Sequence, residues 1–266
     1  MKIAIIGTGN LGTSIAKGLL TNNAVTTLYL TKRNVSEIQN FETYNNVTIT
    51  NSNEEAIKNS DILIFAVQPK HLEAILLENK NLLTKNHVLI STITGFSIEK
   101  IETITGKDQS IIRAMPNTAI AVSKSMTCLC ANNQGTKQIE TAKAIFNQLG
   151  NAMVISENLM QSATVVCASG IAFWMRLIRA TTQAAIQLGF DAKEAQELAM
   201  FTSEGAANLL IQSGNHPEEE IDKVTTPKGC TIEGLNEMEH KGLSSSLIQG
   251  MVASYNKINT IKKEQI

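Results

Sequence analysis

The chain has 266 residues, of which 43% are hydrophobic and 18% charged, with a formal net charge of −1. That length allows one large domain or two ordinary ones with a true apolar core, and the lack of a basic block or stripe argues against nucleic acid as a partner. No run of 18 apolar residues is present, so no membrane-spanning helix is expected. The four cysteines form neither a disulfide framework nor a CxxC pair, so no metal is expected and a reducing cytoplasm is the expected compartment.

An apolar strand at residues 3–6 opens the chain and leaves no room for a signal peptide. It runs into Gly7, Gly9 and Gly12 in GxGxxG spacing, then into a helical stripe of Leu11, Ile15, Ala16, Leu19 and Leu20. Strand, glycine turn and helix in that order are the context a dinucleotide site requires. Gly7 permits the tight turn, Gly9 lets the backbone approach a pyrophosphate, and Gly12 lets the helix pack close to the strand. The free N–H groups at the helix start favour phosphate. Residues 26–31 (TTLYLT) read as the second strand, ending in Lys32, Arg33 and Asn34. An NAD-binding fold places an acid there, on the ribose 2′-hydroxyl. No acid follows directly. Two cations suit a 2′-phosphate, and arginine also stacks on adenine. NADP(H) is therefore favoured over NAD(H), with a plain solvated turn as the competing reading.

A short strand at 47–49 and a helix start at 53–56 follow. Residues 61–67 (DILIFAV) form a continuous apolar strand that Gln68-Pro69 stops. His71 comes next and is given no role. Strands at 87–93, 110–115, 125–131 and 152–155 alternate with helices at 98–104 and 136–149, with Gly150 read as a helix C-cap. Cys128 and Cys130 share one strand face and are expected in the core. The alternation predicts an α/β doubly wound parallel sheet, a Rossmann domain over residues 1–156.

From 157 to 266 the apolar period is helical, which predicts an all-α domain. Residues 159–190 read as one helix of about 45 Å, apolar on more than one face and so in need of a partner. Further helices are expected at 192–212, 217–223, 232–241 and 244–262, with Asp191 and Ser244 as N-caps and Gly189 and Gly214 as stops. The pair Lys262–Lys263 reads as a solvated tail. Two-fold dimerisation through these helices is expected. One segment interrupts them, VTTPKGCT at 224–231. Thr231 is placed to cap the next helix, whose start reads either as a carboxylate site or as an ordinary turn.

Four segments in order (IGTGNLGTSIAKGLL, DILIFAVQP, IIRAMPNTA and VTTPKGCTIEGL) resemble the pyrroline-5-carboxylate reductase family, over residues 1–250. The resemblance implies NADPH-dependent reduction of 1-pyrroline-5-carboxylate, a cyclic imine, to L-proline. It implies a domain-swapped homodimer with the active site between subunits, in some members assembled into larger rings such as a decamer. It implies pyrophosphate contacts from Gly7, Thr8, Gly9, Asn10 and Leu11, and a 2′-phosphate side at Lys32, Arg33 and Asn34. It also implies an adenosine contact at Asn53, cofactor contacts from Ala66, Val67 and Pro69, and Met115, Pro116 and Asn117 near the nicotinamide. Gly229, Cys230 and Thr231 match the loop that takes the substrate carboxylate and ring nitrogen. Thr231 would be the donor to that nitrogen, and Ser169 would touch the substrate.

This sequence departs from the family pattern in several places. Gln68 stands where the family commonly has lysine, and Ala119 and Ile171 where it commonly has proline. Lys228 replaces a glycine, which adds charge and restricts φ. A β-hydroxyacid dehydrogenase-like oxidoreductase is the enzyme alternative. It is disfavoured because residues 161–180 hold Arg176 and Arg179 but no lysine, and arginine cannot shuttle a proton. A catalytically silent NADP-binding scaffold is the alternative outside enzymes.

Overall fold

The computed structural model describes the backbone of residues 1–264 and the side chains of residues 1–260, so the Lys262–Lys263 side chains lie outside the described ones. The chain divides into two compact units. One is Met1–Ser169 together with the chain from Ile258, and the other is Gly170–Lys257.

The first unit is built on an eight-stranded sheet. Its strands are β1 (Lys2–Ile6), β2 (Thr27–Thr31), β3 (Val47–Thr50), β4 (Ile62–Phe65), β5 (Val88–Ser91), β6 (Ser110–Met115), β7 (Ser125–Ala131) and β8 (Gly150–Val154). They lie in the order β3-β2-β1-β4-β5-β6-β7-β8, and only the β6–β7 pair is antiparallel. Packed on the sheet are α1 (Asn10–Thr21), α2 (Asn53–Lys58), α3 (Pro69–Asn79), α4 (Ile98–Thr105), α5 (Ile139–Asn147) and α6 (Met160–Ala163).

Burial on both faces explains why these strands read as unbroken apolar runs. In β1, Ile3 and Ile5 join Leu28, Leu30, Ile62 and Ile64 in one core layer, which Ile15 and Leu19 of α1 and Phe146 of α5 close. Ala4 and Ile6 join Leu63, Phe65 and Leu89 in the opposite layer, closed by Ile57, Leu72, Ile101 and Met160. Each such side chain contributes roughly 1.5–3 kcal/mol through removal from water. Cys128 and Cys130 lie in the second layer, as their alternation predicts.

Several elements differ from the sequence reading. The helix expected at 136–149 is a 3₁₀ turn, Gly135–Gln138, followed by α5. Gly150 is not its cap. It opens β8 with φ +140, and a Cβ there would run into the Ser125 backbone. A 3₁₀ segment at Val35–Thr43, capped by Asn34, fills a stretch that the pattern left without an element. The single helix expected over 159–190 is α6, a π turn at Thr164–Ser169, and α7 (Gly170–Gln187). The β-branched run Thr164, Val165 and Val166 stands at that interruption, where side chains crowd the preceding turn.

The second unit consists of α7, α8 (Ala192–Ser213), α9 (Pro217–Val224), α10 (Cys230–His240) and most of α11 (Leu243–Glu264). Asp191 caps α8, accepting from the Lys193 and Glu194 amides at 2.8 and 2.9 Å, and Gly214 ends it at φ +67. Gly229, not Thr231, is the N-cap of α10, so Thr231 lies inside its first turn. Ser244 likewise lies inside α11, its hydroxyl donating to Glu239 Oε1 at 2.6 Å. α7 and α8 pack side by side, with Ala195 and Ala199 buried. The large apolar side chains stay outside: Trp174 is 61% exposed, Phe201 68%, Ile211 76% and Leu188 81%. The helical stretch Glu157–Gln187 is long enough, and over its most apolar 18 residues hydrophobic enough at a mean hydropathy of 1.3, to cross a bilayer by length and composition. Arg176, Arg179 and several hydroxyls punctuate it, so it is not an unbroken apolar run.

One buried charge braces the sheet. Arg113 of β6 is 6% exposed, and its Nη1 donates to Glu157 Oε1 at 3.0 Å. The same oxygen accepts from the Ile98 amide at 2.7 Å, at the start of α4. Removing the carboxylate leaves the guanidinium buried and unpaired. Glu157→Ala is therefore expected to cost about 3 kcal/mol in urea denaturation, and adding Arg113→Met should restore most of the loss. A cost well under 1 kcal/mol would show that solvent replaces the pair.

Candidate functional site

At the C-terminal ends of β1, β2 and β4 the sheet opens a cleft of about 580 Å³. This is the edge where parallel sheets bind ligands. The loop after β1 forms one wall. Gly7 takes φ +96, and its N–H donates to Thr31 Oγ1 at 3.1 Å. The Thr8 N–H donates to the Thr31 carbonyl at 2.8 Å. Thr31 thereby clasps the glycine loop to the end of β2. At Gly12 an added Cβ would strike the Gly7 carbonyl, so only glycine lets α1 approach this closely. At Gly9 a Cβ would meet nothing within 4 Å, which leaves the space over the helix start open. The Thr8 hydroxyl is buried and has no hydrogen-bond partner among the described residues.

Helix starts fall into two groups. Ser52, Ser97 and Asp191 cap α2, α4 and α8 through their side chains. The starts without a side-chain cap are those of α1, α3, α5, α6 and α10, of which α1, α3 and α10 lie in segments that the sequence assigns to ligands. The first amide hydrogens of α1 and α10 stay available to an anion, whereas α3 opens on Pro69, which has none.

Gly7, Thr8 and Gly9 line the cleft, as do Lys32, Arg33 and Asn34 across from them. Asn53, Ala66 and Val67 complete that part of the lining. Asn10 and Leu11 stand in the first turn of α1, outside the lining, with Leu11 packed on the core. Pro69 occupies the first turn of α3 and is also outside it. Asn117 is not brought to the cleft. Its amide donates to Ser125 Oγ at 3.0 Å, its Oδ1 accepts from the Ala119 amide at 3.0 Å, and its Nδ2 donates to the Cys167 carbonyl at 3.2 Å. Met115 is buried at the end of β6, just before this turn.

Glu37, Asn51, Lys70 and His71 also face the cleft, although the sequence assigned none of them a role. Lys70 places a cation just beyond Gln68. Glu37 corrects the reading that no acid stands near the end of β2. The 3₁₀ segment carries it back to Lys32, whose Nζ lies 2.8 Å from Glu37 Oε2. Asn34 Nδ2 donates to Glu37 Oε1 at 3.2 Å. The hydrogen bond from Lys32, and then its charge, hold the Glu37 carboxyl below the ordinary range.

In the second unit the Gly229 amide donates to the Thr226 carbonyl at 2.9 Å, and exposed Cys230 and Thr231 open α10. Lys228 sits at φ +60, a left-handed conformation that costs a non-glycine residue about 1 kcal/mol. In the first unit half-buried Ser169 closes the π turn. Within that turn Cys167 Sγ lies 3.9 Å from Cys128 Sγ. Hydrogen bonding with the Cys128 thiol lowers Cys167 against the opposing effect of burial. The same bond, and then burial, push Cys128 up. Among the described residues no cluster of three or more metal-ligating side chains occurs.

Comparison with known proteins follows this division of the chain. Residues 157–261 match the family model for pyrroline-5-carboxylate reductase dimerisation, and residues 2–95 match that for NADP oxidoreductase, coenzyme F420-dependent. The chain is 45% identical to pyrroline-5-carboxylate reductase 1 of Dictyostelium discoideum, over 96% of this chain and 49% of that protein, so it spans about half the length of that relative. It is 41% identical to pyrroline-5-carboxylate reductase 2 of the same organism, over 96% of this chain and 91% of that one. The solved structure of a pyrroline-5-carboxylate reductase from Coxiella burnetii superposes with a TM-score of 0.91 at 28% identity, over 97% of both chains.

The thiol pair has a chemical signature. Thiolate, not thiol, is the nucleophile. Alkylation of Cys167 by iodoacetamide, followed by peptide mass mapping, should therefore set in at a lower pH than that of an ordinary thiol, while Cys128 stays unmodified. Cys128→Ala should return the transition toward the ordinary thiol value of about 8.5. An unchanged transition in that variant would show that the Cys128 hydrogen bond is not the cause.

Proposed function

The chain belongs to the pyrroline-5-carboxylate reductase family, and from that premise we propose that it reduces 1-pyrroline-5-carboxylate to L-proline with NADPH. Residues 1–156 hold the dinucleotide, and residues 157–266 carry dimerisation and the substrate contacts. The assembly is a cytoplasmic homodimer, or a larger ring such as a decamer built from it. The apolar faces of Trp174, Phe201 and Ile211 then serve a second copy of the chain rather than a membrane or nucleic acid.

The observation that carries this reading is the cleft at the ends of β1, β2 and β4. Its residues fit a dinucleotide with a 2′-phosphate. The uncapped start of α1 and the open face at Gly9 suit a pyrophosphate. Thr8 offers a buried hydroxyl without a partner, and Lys32 and Arg33 suit the 2′-phosphate. Asn10 and Leu11 present backbone amides at the helix start. Asn53, Ala66, Val67 and Pro69 bracket the adenosine and ribose side, and Asn117 fixes the turn that follows Met115 and Pro116.

When bound, NADPH supplies the hydride. The chain has to fix the carboxylate and leave a donor beside the imine nitrogen. The amides of Cys230 and Thr231 at the uncapped start of α10 receive the carboxylate, and Gly229, whose own amide is held by the Thr226 carbonyl, shapes the turn that presents them. The Thr231 hydroxyl donates toward the ring nitrogen of a neutral imine, directly or through water, or accepts from the N–H of a protonated one, and Ser169 gives a further substrate contact. A hydroxyl is a weak acid, so the reaction favours imine that arrives already protonated.

The deciding assay follows NADPH oxidation with 1-pyrroline-5-carboxylate, and lack of turnover despite NADPH binding would overturn the proposal. Thr231→Ala should lower kcat on the order of a hundredfold with the NADPH dissociation constant unchanged. Arg33→Asp should move the ratio of kcat/KM values toward NADH by roughly tenfold or more. A ratio that does not move would mark Lys32 and Arg33 as a surface turn.

A further inference from the structure

Two of the three residues assigned to a 2′-phosphate, Lys32 and Asn34, already engage a carboxylate, Glu37. Lys32 Nζ lies 2.8 Å from Glu37 Oε2, and Asn34 Nδ2 donates to Glu37 Oε1 at 3.2 Å. Lys32, Asn34 and Glu37 line the same cleft, with Arg33 beside them. Lys32 is only 24% exposed and Glu37 is 55% exposed, so the carboxylate is the more accessible partner. Its carboxyl is held below the ordinary range, mainly by the hydrogen bond from Lys32, so it carries its charge at neutral pH.

A nucleotide bearing a 2′-phosphate brings a dianion to this spot. It must either displace Glu37 from Lys32 or lie beside a like charge. A nucleotide with a plain ribose meets a carboxylate that can accept its hydroxyl protons. Arg33 favours the first ligand and Glu37 the second, and both line one cleft. Specificity here is a difference between two affinities, and a repulsive element sets it as much as an attractive one.

We infer that Glu37 is a specificity-determining residue, a counter-charge on Lys32 that keeps the adenosine end of the cleft open to a nucleotide without a 2′-phosphate. The inference rests on the reading of the cleft as a dinucleotide site. It differs from that reading in predicting weak discrimination between NADPH and NADH, where the cations alone predict strong discrimination.

Calorimetric titration of the full chain tests it without turnover. The probes are adenosine 2′,5′-bisphosphate and adenosine 5′-monophosphate, which carry and lack the 2′-phosphate. Glu37→Gln keeps the shape and removes the charge. It should tighten the bisphosphate by roughly tenfold, the scale of one like-charge contact in partly exposed surroundings. The monophosphate should stay unchanged or weaken. Glu37→Ala should move the ratio of the two affinities in the same direction, and far-UV circular dichroism reports that both variants are folded. An unchanged ratio overturns the inference. So does weaker bisphosphate binding, which would make Glu37 a brace that positions Lys32 for the phosphate. Wild-type protein that binds neither probe overturns the dinucleotide reading itself, and the two failures are thereby told apart.

Discussion

Thr31 is the joint on which the nucleotide half of this molecule depends. Through its hydroxyl and its carbonyl it takes two hydrogen bonds from the glycine loop, at 3.1 and 2.8 Å, and it is itself only 3% exposed. The loop presents the amides at the start of α1, and the residue after Thr31 presents the first cation. One residue thus sets the spacing between the place where phosphates fit and the place where an adenosine ribose fits. A buried hydrogen-bonded joint of this kind is rigid, because an unmet amide in the interior costs more than a made one gains. Gly12 serves the same end from the other side, by letting α1 lie directly on the loop.

The parts of the fold that were legible in the sequence are those decided by neighbours along the chain. β6 and β7 have the limits that alternation and flanking turns set, and Asp191 and Gly214 bound α8 as their side chains require. Elements decided by distant neighbours were harder to read. Gly150 looked like the end of a helix, but Ser125 on the adjacent strand demands its positive φ. Thr231 looked like a cap, but the tight turn at Thr226 and Gly229 starts α10 before it. The π segment widens one stretch of a helix that is otherwise continuous over Glu157–Gln187, and the apolar spacing carries no sign of it.

The cleft shows the same division. Its glycines, Lys32 and Arg33 belong to a local motif whose chemistry the residue types declare. Glu37 is invisible to that logic, because the 3₁₀ segment that follows β2 and packs against β3 brings it to Lys32. Asn117 shows the reverse case. Position along the chain gives it a ligand, yet in the folded chain its amide, Oδ1 and Nδ2 all serve the turn and the π segment. A polar residue whose groups are all engaged acts through the backbone it fixes.

The helical unit keeps its largest apolar side chains on its surface, while the sheet unit hides its own in two layers. The free energy that holds these helices is therefore largely missing from the single chain and must come from whatever covers them. In the proposed homo-oligomer, dilution then acts as a denaturant, and stability becomes a property of concentration as much as of sequence. A cell making few copies would hold them closer to unfolding than one making many. Cells synthesising the same protein at different rates would thereby differ in how long each copy survives.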